Sequence, residues 1–169
     1  MTVNLFSFVD LHDRALATAD HLLTKGMAHA EATGVSEAEM LGWRLIDDMH
    51  PLAFQIMVVI NFTRAWPARV IGQEVSAWID ADLDVAGFRA AIADNQAFLG
   101  GLTADQFAGR DDVPYTHEIM AGMAPTLPSG QWMRVFATTN IHFHLSIAYA
   151  ILRANGTPLS KPDMFASGL

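Results

Sequence analysis

At 169 residues the chain has the length of one domain able to bury a substantial core, and 51% apolar with 17% charged residues is the composition of a folded protein, not a disordered one. A formal charge of −8, from ten basic and 18 acidic residues, excludes a nucleic-acid surface, which needs clustered Lys and Arg. With no cysteine there are no disulfides, iron–sulfur clusters or thiolate nucleophiles, so any metal would rest on His, carboxylate or amide oxygen.

The opening MTVNLFSFVDLHDRALA lacks a basic leader and meets Asp10 early, a poor match to a secretory signal. No stretch reaches about 18 uninterrupted apolar residues. The expectation is a single cytoplasmic domain over 1–169 that engages neither nucleic acid nor membrane.

From Leu5 to Ala32, apolar residues and His12 recur at spacings of three and four (Leu5, Val9, Leu16, Ala19, Leu23, Met27, Ala30), which predicts a first long helix. Ser36 and Glu39 predict a capping box and a short helix through Leu41. A second long helix starts near His50, with Pro51 in its first turn, and heads for Gly72. Pro67 should kink it or end it early. Its buried face should be Phe54, Met57, Val58, Asn61, Ala65 and Ala68. Asp84 predicts the N-cap of a third helix closing on Gly100 and Gly101, and Thr103 with Gln106 a further capping box. Residues 109–130, with Pro114, Pro125 and Pro128, predict a long loop or small β-hairpin. The last helix, QWMRVFATTNIHFHLSIAYAILRAN from Gln131, stops at Gly156, and the tail beyond should lie on the surface. Four apolar-striped helices with unequal connections predict an all-α four-helix bundle with at least one long crossover.

Polar residues inside the last helix mark where function would show. At 100° per residue, His142 and His144 point about 160° apart. His144 and Asn140 fall on the apolar face; His142 shares the other face with Tyr149 and Arg153. Asn140 and His144 have the i, i+4 spacing of bundle metal ligands, and Asn61 is the natural third member. The competing account is a buried hydrogen-bond network with His144 neutral. His50 lies about 16 Å from Asn61 along its helix, too far for that site, and could join His12 or His144 only if the packing brought their levels together. Otherwise His50 caps its own backbone. His12 reads as a core or bundle-end histidine paired with a carboxylate. His117-Glu118 lacks the second histidine of a zinc-protease motif, since position 121 is Ala.

The segment NIHFHLSIAYAILRANGTPLSKPD from Asn140, supported by TKGMAHAEATG, DDMHPLAFQ and Asn61, resembles an uncharacterised bacterial family within the DinB/YfiT-like superfamily, over nearly the whole chain. The resemblance implies an up-down-down-up four-helix bundle, with the crossover between its second and third long helices, and frequently a homodimer. It also implies a divalent metal (Zn, Ni or Mn) on a three-histidine site, serving thiol transfer or a thiol-dependent isomerisation. Laid on this chain, that triad falls near Asn61, Asn140 and His144, of which one is histidine.

Three functions follow. The first is a metal-dependent small-molecule transferase or isomerase with an altered triad. The second is a non-catalytic, metal-free dimer that binds a small ligand or another protein. The third is a metal-free enzyme using His142 with Tyr149 or Arg153 as acid, base and anion clamp.

Overall fold

The computed structural model describes residues 4–166 and Gly168. Four long helices carry the fold: α1 (Ser7–Thr33), α3 (Leu52–Ile71), α4 (Val85–Gly100) and α7 (Thr138–Ala154). Short elements join them: α2 (Glu37–Gly42), α5 (Ala104–Phe107), a hairpin of β1 (Pro114–Thr116) and β2 (Thr126–Pro128), and α6 (Ser129–Gln131). A π-helical turn, Trp132–Ala137, joins α6 to α7, and a 3-10 turn, Lys161–Phe165, closes the chain.

The capping residues sit at the helix starts, although the Glu39 side chain returns no bond to Ser36 among the described residues. The Ser36 side chain accepts from the Glu39 N–H at 3.2 Å, and Asp84 accepts from Gly87 at 2.7 Å. Thr103 and Gln106 form their reciprocal box. The hairpin pairs Tyr115 with Leu127, and the Trp132 indole donates to the Tyr115 carbonyl at 2.8 Å, tying it to the last helix.

Pro67 does not end α3, which runs on to Ile71 and stops at Gly72, held in the left-handed region at φ 76°. Proline at 67 has no N–H for the carbonyl four residues back, at Thr63. His12 supplies the missing donor: its Nδ1 lies 3.3 Å from the Thr63 carbonyl oxygen, inside the core. A carbonyl can only accept, so the proton sits on Nδ1. His12 is therefore a core histidine, but its partner is a carbonyl orphaned by proline and not a carboxylate.

Helix α3 packs on α7 in antiparallel sense, with Gln55 level with His144 and Trp66 stacked on Trp132 at 5.2 Å. Helix α1 runs alongside α7. A Cβ on Gly26 would fall 2.8 Å from a Leu152 methyl, so glycine allows the approach without displacing that side chain. Asn95 on α4 donates to the Ile60 carbonyl of α3 at 2.6 Å, and Arg64 lies over the Phe98 ring at 4.6 Å.

Among the described residues, one helix, Ser129–Ala154, is long and apolar enough to cross a membrane by length and composition. An 18-residue stretch of it has a mean hydropathy of 1.3, and a third of that stretch is buried within the chain.

Candidate functional site

The predicted trio does not converge. Asn61 is buried, and its amide is spent on the α3–α4 connection: Nδ2 donates to the Ile79 carbonyl at 3.1 Å, and Oδ1 accepts from the Ile79 N–H at 3.0 Å. Asn61 thus fastens that connection and is not bonded to His144. Asn140 is half-buried and donates to the Phe136 carbonyl, four residues back, at 2.7 Å.

His144 instead meets Gln55. Its Nδ1 lies 2.7 Å from Gln55 Oε1, while Gln55 Nε2 donates to the His50 carbonyl at 3.0 Å. The second bond fixes the first. Because the His50 carbonyl only accepts, the amide nitrogen must face it, which turns Oε1 towards His144 and places the histidine proton on Nδ1. The His144 Nε2 lone pair remains. Burial pushes His144 down to about 4, and His50 nearby acts in the same direction, so the ring is neutral at pH 7.

His50 is brought to the level of His144 after all. It does not cap its helix: its ring stacks on Phe54 at 3.8 Å, and Phe54 meets His144 edge-on at 6.0 Å. Gln55 is the residue that sequence reasoning missed. Its signal was available as a lone amide in the apolar run PLAFQIMVVI, on the turn after His50. In His144→Ala, Gln55 Oε1 loses its donor while 3% exposed, and we expect about 1–3 kcal/mol less stability in urea unfolding.

His142 is exposed on the α1 side of α7 and lines a cleft with Arg14 and Leu145. Tyr149 is half-buried against the core and Arg153 is exposed, about 16 Å further along the helix at 1.5 Å per residue. Neither hydrogen-bonds to His142 in the described chain.

A three-ligand divalent site does not fit these residues. Asn61 is committed to Ile79, Asn140 offers a neutral amide, and no three His, Asp or Glu side chains converge among the described residues. What the arrangement can do is hold a neutral imidazole in a glutamine-anchored pair, and present His142 at a cleft.

Long helices, an extended α3–α4 connection and a hairpin ahead of the last helix define a mostly helical domain of DinB-like class. The chain belongs to the family described as "Domain of unknown function (DUF1993)", whose model matches residues 7–165. It is similar to the crystal structure of a DinB family member protein from Shewanella denitrificans, with a TM-score of 0.83 and 26% identity, covering 93% of this chain and 88% of that one. No curated protein matches it.

Proposed function

We propose that this protein is an up-down-down-up four-helix bundle that works in the cytoplasm as a metal-free homodimer and binds a small molecule without a metal centre. The bundle reading draws on α1 running with α7, α3 running against α7, and α4 running with α3, as the Asn95–Ile60 and Phe98–Arg64 contacts indicate. The α3–α4 connection is then the long crossover.

One observation carries the dimer. The outer face of the last helix presents Gln131, Val135, Thr139, Phe143 and Ser146, all exposed and none charged, on a chain of net charge −8. Val135 is 57% and Phe143 54% exposed. Beside them Ile119, Leu127, Trp132 and Phe136 line an apolar groove of about 270 Å³. An aromatic knob and an apolar groove on one helix face are self-complementary, as a two-fold interface requires: each Phe143 enters the groove of the other copy. Gln131, Thr139 and Ser146 within the stripe favour a protein over lipid as its cover.

Sedimentation velocity with metal analysis of untagged protein tests this reading. A dimer is expected, with Zn, Ni and Mn below one per chain and not raised by adding them. A monomer, or one ion per chain held at His144, overturns it. The second reading, a metal-dependent transferase or isomerase, draws on the bare Nε2 of His144 with His50 alongside. It predicts that stoichiometric Zn²⁺ uptake is lost in His144→Ala.

A further inference from the structure

A cleft of about 270 Å³ opens between α1, α7 and the closing 3-10 turn, lined by Leu11, Arg14, Ala15, His142, Leu145 and Met164. Its walls are largely apolar, with Arg14 contributed by α1 and His142 by α7. Thr18, also at the cleft, spends its hydroxyl on the Arg14 carbonyl at 3.0 Å. The Arg14 guanidinium gives Nε to Asp10 at 2.8 Å and Nη1 to the Gly168 carbonyl at 3.2 Å, while Nη2 has no protein acceptor among the described residues. The His142 imidazole likewise has no hydrogen-bond partner among them. The roof is the Lys161–Phe165 turn, pinned to α1 by His21 Nε2 against Asp163 Oδ1 at 2.8 Å. An apolar cavity with an arginine on one wall and an unengaged imidazole on the other matches an amphiphile with an anionic oxygen head.

We propose that this cleft binds a medium-chain monocarboxylate, its head between Arg14 and His142 and its alkyl chain between Leu11, Ala15, Leu145 and Met164. The size follows from the cavity: at about 30 Å³ per water it has room for roughly nine waters, which an eight-carbon chain fills. The head follows from the donors, since the Arg14 Nη2 and one imidazole N–H satisfy the two oxygens of a carboxylate. The inference names the ligand class for the small-molecule role proposed above and does not need dimerisation.

The test is calorimetric titration with octanoate, with acetate (head alone) and octanol (chain alone) as controls. Octanoate should bind at least about tenfold tighter than either control, since head and chain are held by separate groups. Arg14→Gln should weaken octanoate by about tenfold through the lost charge-assisted bond. Leu11→Trp, at a half-exposed position on the wall, should fill the cleft and abolish binding, with far-ultraviolet circular dichroism confirming that both variants fold. Octanol binding as tightly as octanoate overturns the proposal, as does binding indifferent to both variants or no binding at all. Sedimentation and metal analysis of the same samples separate the two readings. A metal-free dimer that ignores octanoate sinks this inference alone; a metal-loaded monomer that binds octanoate sinks the metal-free dimer alone.

Discussion

Phe143→Asp should convert the proposed dimer into a folded monomer. Fully burying a phenylalanine is worth about 1.5–3 kcal/mol, and roughly half of this side chain is already covered in the single chain. A two-fold interface loses the remainder twice and must also desolvate two carboxylates. A combined cost of about 3 kcal/mol or more weakens self-association by over about a hundredfold. Sedimentation equilibrium of the variant and wild type measures this directly, with far-ultraviolet circular dichroism showing that the helices persist. Ile46→Asp is the control: Ile46 is 58% exposed but lies outside the last helix, so its variant should stay dimeric. An equal effect from both substitutions would place the contact elsewhere.

Lowering the pH from 7 to 4.5 should strip stability through His12. In the unfolded chain its imidazole takes up a proton near 6.5; in the folded protein burial, the largest cause, pushes it down to about 4. The Thr63 carbonyl partly offsets this burial effect, and His142 adds a small push in the same downward direction. Between those two values the unfolded chain holds one more proton. Folding is therefore favoured fully above pH 6.5 and progressively less down to about 4, by a total of about 3 kcal/mol for this one group. His144, pushed down in the same sense but closer to solvent, adds a smaller increment of the same sign. Asp163, held well below the ordinary carboxylate range first of all by its bond from His21, acts only at lower pH and does not enter this window.

Urea unfolding at several pH values reads the slope, and His12→Leu should flatten it. That variant also leaves the Thr63 carbonyl without a donor, at about 1–3 kcal/mol. Pro67→Ala returns an N–H to α3, so it should recover much of that loss in the His12→Leu background and do little alone. Additive effects of the two substitutions would break the link between the proline and the histidine.

That link marks where the sequence was legible and where it was not. Residues that act on their own neighbours read directly. Ser36, Asp84 and Thr103 cap the helices that follow them because the hydrogen bond runs three residues along the chain. Pro67 misled for the opposite reason: its effect is decided by His12, 55 places earlier, which no local rule sees. The site failed in the same way. Asn61 was the evident amide on α3, but spacing along one helix does not fix the level at which another crosses it. Antiparallel packing set Gln55 opposite His144 and turned Asn61 towards Ile79. The cleft at His142 was equally hidden, because its roof is a tail distant in sequence. The i, i+4 spacing of Asn140 and His144 holds within α7, but Asn140 closes on the Phe136 carbonyl and leaves His144 to Gln55.

The π-helical turn at Trp132–Ala137 holds one more residue than a regular helix of the same height would. The wide turn takes up that residue without changing which way the following helix faces. Deleting one residue there would let the turn relax to ordinary winding with His144 still opposite Gln55, whereas the same deletion inside α7 would rotate everything beyond it by about 100°. A relative one residue shorter at the turn would keep the same side chains against the neighbouring helices.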